Sequence, residues 1–189
     1  MRLAILISGT GSNMKSIVKH FPKEVKIILT NNPNSKGIQW AIDNNYNSSI
    51  INHKNYENRL DFDKVVHEKL KQNNIDLVIL AGFMRILTPE FVSRWKRKIL
   101  NIHPSYLPNF KGHNAIEMAL ESGIKQTGVT VHIVTPELDS GPIIKQEKVD
   151  ILENDDILSL SDRIHKVEHR LYPKAIKSYM KSIEMGIMF

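Results

Sequence analysis

Apolar residues in this chain come either in short unbroken runs or in longer stretches where they recur every three or four positions. Residues 3–7, 25–29, 49–51, 77–81 and 99–102 are brief runs rich in Ile, Leu and Val and read as strands. Residues 13–20, 35–44, 58–71 and 89–95 carry the helical period. Strand and helix therefore alternate. This predicts an α/β fold with a mainly parallel, doubly wound sheet and helices on both faces. Beyond residue 103 the pattern changes. Residues 127–134 and 142–149 read as two strands joined by a loop, expected to pair antiparallel at one side of the sheet. Residues 157–180 have helical spacing, with Pro173 expected to kink or divide the helix.

With 189 residues, 41% of them hydrophobic, the chain can bury one core of ordinary size, and no repeat or linker-like tract breaks it. A single domain spanning 1–189 is expected. No apolar stretch reaches the roughly 18 residues of a membrane span, and the opening run leads into glycines rather than a cleavage site. A cytoplasmic location without membrane partners follows as the expectation. The absence of cysteine excludes disulfides, thiolate catalysis and Cys-ligated metal centres, so any chemistry uses oxygen and nitrogen groups. The net charge of +6 would suit an anionic small molecule or nucleic acid. Lys64, Lys69, Lys71, Lys166 and Lys177 are dispersed, however, without the arginine-rich tract or aromatic–basic pattern of a nucleic-acid binder.

In parallel sheets ligands sit beyond the carboxyl ends of strands, which directs attention to the residues after positions 7, 81 and 102. Ser8-Gly9-Thr10-Gly11-Ser12-Asn13 follows the first strand and opens the first helix, where backbone N–H groups converge on an anion such as phosphate. The run lacks the Lys-hydroxyl ending of a Walker loop and the full dinucleotide glycine pattern; a plain strand-to-helix turn would look the same. In Asn101-Ile102-His103-Pro104, strand alternation puts Asn101 and His103 on one face, and a carboxamide donor beside an imidazole suits an oxyanion arising from a carbonyl. The loop Glu137-Leu138-Asp139-Ser140-Gly141-Pro142 could bring Asp139 to them. Taken alone, each of these residues fits a structural hydrogen-bonding role better than a catalytic one. Asn31-Asn32-Pro33-Asn34 reads as a turn.

Ile7 to Asn13, Ala81-Gly82-Phe83-Met84-Arg85-Ile86-Leu87, Asn101 to Ser105, Gly128-Val129-Thr130-Val131-His132 and Leu138 to Pro142 together resemble the successive signatures of the glycinamide ribonucleotide formyltransferase family, in family order over almost the whole chain. The resemblance implies a single-domain, Rossmann-like formyltransferase fold with a phosphate-binding half at about 1–100 and a catalytic and folate half at about 101–189. It implies transfer of a formyl group from 10-formyltetrahydrofolate to the amine of glycinamide ribonucleotide, without a metal or nucleic acid, by a monomer or homodimer. Carried over by position, Asn101, His103 and Asp139 are catalytic; Gly11, Ser12, Asn13 and Glu168 bind the ribonucleotide. Arg59, Met84, Arg85, Ile86, Leu87, Asn101 and the loop Thr135, Pro136, Glu137, Leu138 and Asp139 face the folate. His132 is implied as support near the site. A histidine common in the family aligns with Asn114, and His113 stands one position earlier. Two related activities share the pattern: deformylation of the same folate by water, and formylation of methionyl-tRNA. A noncatalytic nucleotide-binding module would account for the glycine loop and charge but not for the remaining segments.

Overall fold

A computed structural model of the chain describes residues 1–187. By internal packing the chain divides into two compact units, Met1–Leu100 and the part from Asn101 onward.

In the first unit, β1 (Leu3–Ile7) is buried at all five positions, which is why its sequence is continuously apolar rather than alternating. It pairs in parallel with β2 (Val25–Thr30) and β4 (Leu77–Leu80), and β2 pairs in parallel with β3 (Ser48–Ile50). The connecting helices are α1 (Ser12–His20), α2 (Lys36–Asp43), α3 (Arg59–Gln72) and α4 (Pro89–Arg94). Side-chain caps mark where three of them begin: Ser35 accepts from Ile38 N–H, Asn58 from Asp61 N–H, and Thr88, just before Pro89, from Phe91 N–H. Right-handed crossovers put α1 and α2 on one face and α3 and α4 on the other. Connections leave β1 towards β2 but arrive at β4 from the opposite direction, so the ends of β1 and β4 form the switch point where parallel sheets bind ligands.

β5 (Ile99–His103) runs across the boundary at residue 100, and the second unit continues with α5 (Ala115–Glu121), β6 (Gln126–Ile133), β7 (Ile143–Asp150) and α6 (Ile157–Glu184). β6 and β7 pair antiparallel, as expected, and a register irregularity falls between Val131 and His132. The sheet as a whole has seven strands in the order β3-β2-β1-β4-β5-β6-β7. Among the described residues no helix is long and apolar enough to cross a membrane.

Two short elements are not given by the periodic pattern: a 3-10 turn at His53–Asn55, and α5, whose seven residues are too few to establish a period. Of the two outcomes expected at Pro173, a kink or a division, division does not occur: α6 is continuous from Ile157 to Glu184. Proline removes one i→i−4 hydrogen bond, but Leu171, Tyr172, Pro173, Ala175 and Ile176 are all buried together, and that burial outweighs one lost bond.

Gly141 opens the way into β7 where no side chain fits. A Cβ there would stand 1.8 Å from the Ile133 carbonyl oxygen. Gly141→Ala is therefore expected to destabilise the fold by about 3 kcal/mol, at the upper end of overpacking costs. Denaturant unfolding checks this; a loss under about 1 kcal/mol would mean that the loop yields freely.

Candidate active site

Each unit holds its own group of candidate residues at strand ends. In the first, the chain turns sharply at Gly11, whose φ of 74° is left-handed and whose place as the cap of α1 supplies no side-chain acceptor for the first-turn N–H groups. No side chain caps α1 and no acidic residue stands in its first turn, so the helix begins at a positive end, an arrangement that attracts an anion. Asn13 is buried and Ser12 half-buried. A Cβ on Gly11 or on Gly37 would press at 3.0 Å or closer on the other glycine's backbone or on Ile7, so both glycines are needed for α2 to pack under the loop.

Beyond β4, Met84, Arg85, Ile86 and Leu87 form a loop rather than a strand end. Met84 and Ile86 expose 67% and 50% of their surface, while Leu87 is buried. The Arg85 guanidinium lies 5.5 Å over the Phe62 ring, and its buried Nε has no hydrogen-bond partner. Asp63, buried on α3, anchors the end of this loop: one carboxylate oxygen accepts from both Thr88 N–H and Thr88 Oγ at 2.7 Å. Burial raises the Asp63 pKa; the two Thr88 bonds and the Arg85 and Arg59 charges only partly offset it. Arg59 itself is exposed in the first turn of α3. Asp63→Asn keeps an acceptor and removes a buried charge, so stability is expected to change by less than about 1 kcal/mol, whereas Asp63→Ala strands the Thr88 N–H and costs about 1–3 kcal/mol. Equal losses in unfolding measurements would show that the charge, not the acceptor, is what matters.

In the second unit, Asn101 and His103 on β5, His132 on β6 and Asp139 on the β6–β7 loop come together. Asp139 holds a left-handed φ of 46°, one that Asp tolerates better than most residues, and its carboxylate reaches both imidazoles: His103 Nδ1 and His132 Nε2 each lie 3.5 Å away. Gly112 N–H donates to the same carboxylate at 2.9 Å. Asn101 Nδ2 is 3.3 Å from His132 Nε2, so Asn101 and His103 are joined through His132 and Asp139. Both rings are oriented by backbone carbonyls, His103 Nε2–H donating to Phe110 at 2.7 Å and His132 Nδ1–H to Ile133 at 3.0 Å. His103, His132 and Asp139 are all buried. Burial acts to raise the Asp139 pKa, but the hydrogen bonds from His132 and Gly112 and the adjacent imidazoles outweigh it and hold the carboxyl below the usual range. The result is a buried carboxylate flanked by two imidazoles and a carboxamide, suited to proton transfer and to stabilising an anion.

His132 is thus a direct member of the cluster, more central than a role as nearby support suggests. Its position in β6 beside the β5 histidine follows from strand pairing, which no motif states. The other expected residues are placed as follows. Thr135 Oγ donates to the Glu137 carbonyl at 3.2 Å, tightening the loop in which Pro136, Glu137 and Leu138 are exposed. Glu168 is buried on α6 one turn before Tyr172, whose phenol is pushed well above its ordinary pKa by burial and by the Glu168 charge. His113 and Asn114 are both exposed, and Asn114 caps α5 with a left-handed φ of 60°, a conformation that asparagine accepts readily. Among the described residues no group of three or more His, Asp or Glu side chains is arranged to hold a metal ion.

This fold and site define a class. The chain belongs to the formyl transferase family, whose model matches residues 1–176. It is 36% identical over 184 residues to the phosphoribosylglycinamide formyltransferase of Bacillus subtilis, covering 95% of this chain and 94% of that protein. It is 43% identical to the human trifunctional purine biosynthetic protein adenosine-3 over 93% of this chain, but spans only 18% of that relative's length. Among solved structures, phosphoribosylglycinamide formyltransferase from Streptococcus pneumoniae superposes with a TM-score of 0.91 at 37% identity, over 95% of this chain and 98% of the other.

Proposed function

We propose that this chain is a phosphoribosylglycinamide formyltransferase, moving the formyl group of 10-formyltetrahydrofolate to the amine of glycinamide ribonucleotide in purine synthesis. The observation that carries the reading is the Asp139 carboxylate, buried between His103 and His132 with Asn101 alongside, in a chain matched over nearly its full length by proteins of that name. In this reading Gly11, Ser12 and Asn13, at the positive end of α1, hold the ribonucleotide phosphate, with Glu168 towards its ribose or glycinamide end. The exposed apolar side chains of Met84 and Ile86 flank the pteridine with Arg85 and Leu87. Arg59 faces the folate, and the loop Thr135, Pro136, Glu137, Leu138 and Asp139 closes over it.

The substrate amine attacks the formyl carbon as a neutral nucleophile, forming a C–N bond and a tetrahedral intermediate. The intermediate collapses by breaking the bond to the folate N10, and the proton lost by the amine ends on that nitrogen, giving tetrahydrofolate. An Asn101 amide hydrogen and protonated His103 stabilise the oxyanion. His103 Nε2–H is held by the Phe110 carbonyl in this conformation, so donation to substrate requires exchanging that partner. Asp139 orients His103 and accepts the amine proton, directly or through water.

The test is a spectroscopic assay of folate product in three parallel reactions: with glycinamide ribonucleotide, with water alone, and with charged initiator tRNA. Ribonucleotide-dependent turnover is expected. Equal rates without the ribonucleotide would reassign the chain to hydrolysis of the folate, and turnover only with tRNA would move it to the methionyl-tRNA branch.

A further inference from the structure

The asparagine run after β2, which reads as a turn, grips both loops that face the switch point of the first unit. Asn32 Nδ2 donates to the Ser8 carbonyl at 3.0 Å, and Ser35 Oγ to the Gly9 carbonyl at 2.7 Å, fixing the glycine loop from beneath. Ser8 Oγ donates to Asn31 Oδ1 at 2.6 Å and accepts from Met84 N–H at 2.8 Å. Ser8 N–H completes the tie by donating to the Gly82 carbonyl at 3.1 Å. Ser8 and Asn31 are both buried. Asn31 is held in turn from the segment after β3, its backbone carbonyl accepting from His53 Nδ1–H at 2.9 Å. A relay therefore crosses four neighbouring strand ends, from His53 through Asn31 and Ser8 to the backbone of Met84.

The directions of these bonds matter. A hydroxyl has one hydrogen, and Asn31 takes it, which turns the lone pairs of Ser8 Oγ towards Met84 N–H. Without the hydroxyl, Met84 N–H and Asn31 Oδ1 lose their partner at the same moment. Ser8 also directly precedes Gly9-Thr10-Gly11, so the chain cannot shift at the glycine loop without moving the acceptor that holds Met84.

We propose that Ser8 and Asn31 are positioning residues that couple the two ligand segments, so that occupancy of the glycine loop by a ribonucleotide phosphate orders the Met84–Leu87 loop for the folate. The inference rests on the assignment of those two segments made above. Ligands that favour one shared loop arrangement bind cooperatively, because the first to bind meets the ordering cost for the second, and the coupling is reciprocal.

Calorimetric titration of the full chain with tetrahydrofolate, with and without saturating glycinamide ribonucleotide, measures this coupling. In the unmodified protein the ribonucleotide is expected to tighten tetrahydrofolate about fivefold. Ser8→Ala should reduce the factor below about twofold while each ligand alone still binds, Asn31→Ala should do the same, and Ser8→Thr, which keeps the hydroxyl, should retain it. Amide exchange gives a readout independent of ligand: Met84 N–H should exchange at least about tenfold faster in Ser8→Ala, while Ala81 N–H, bonded to the Leu6 carbonyl, stays protected. If both ligands bind but the coupling is absent from the unmodified protein or survives in Ser8→Ala and Asn31→Ala, the relay is overturned and the functional assignment stands. If glycinamide ribonucleotide does not bind the unmodified protein at all, the functional assignment fails and the relay falls with it.

Discussion

Asp139→Asn is expected to lower kcat by about 100-fold or more, the scale of losing a positioned proton acceptor, with a smaller effect on the affinity of either substrate. Asparagine matches the shape of the carboxylate and tolerates the left-handed backbone at position 139, and its amide oxygen can still accept from Gly112 N–H. What disappears is the negative charge between His103 and His132. Comparable losses of affinity with unchanged kcat would remove Asp139 from the chemistry. The sign of its pKa shift adds a second check. Because the folded carboxyl lies below the unfolded value of about 3.9, its ionised form adds stability that is fully present above that value and is lost as pH falls through the folded one. The stability contributed by ionised Asp139 should therefore shrink as pH falls below about pH 4.

Asn101→Ala is expected to cost at least tenfold in kcat, and about 100-fold if the amide is a full oxyanion donor worth roughly 3 kcal/mol. Asn101 is only half-buried and its described side-chain bond is the one to His132, so truncation should leave the fold intact. Asn101→Ala also releases His132 Nε2 from a neighbour. The double variant with His132→Ala separates the two roles, since additive losses would mean that Asn101 acts on substrate independently of His132. Near-normal turnover by folded Asn101→Ala would end the oxyanion assignment.

The alternation of apolar runs and helical periods determined β1 to β5 and α1 to α4, because those signals lie within a window of a few residues and reflect local sterics and burial on two faces. The glycine loop was legible for the same reason: the left-handed turn at Gly11 and the close approach of Gly37 demand residues without a Cβ. Asn101, His103 and Asp139 stood out through motif order, and chain alternation placed the first two on one face. Tertiary structure decided who their partners are. His132 meets Asn101 across 31 residues, Gly112 N–H reaches Asp139 across 27, and Met84 N–H finds Ser8 across 76. Such pairings depend on strand register and loop closure, and neither leaves a periodic trace in sequence. The asparagine turn and Pro173 make the same point from opposite sides. Local rules place Asn31 in a turn, where it lies, and a kink or division at Pro173; long-range contacts add the hydrogen bonds that make Asn31 a hub and keep α6 undivided.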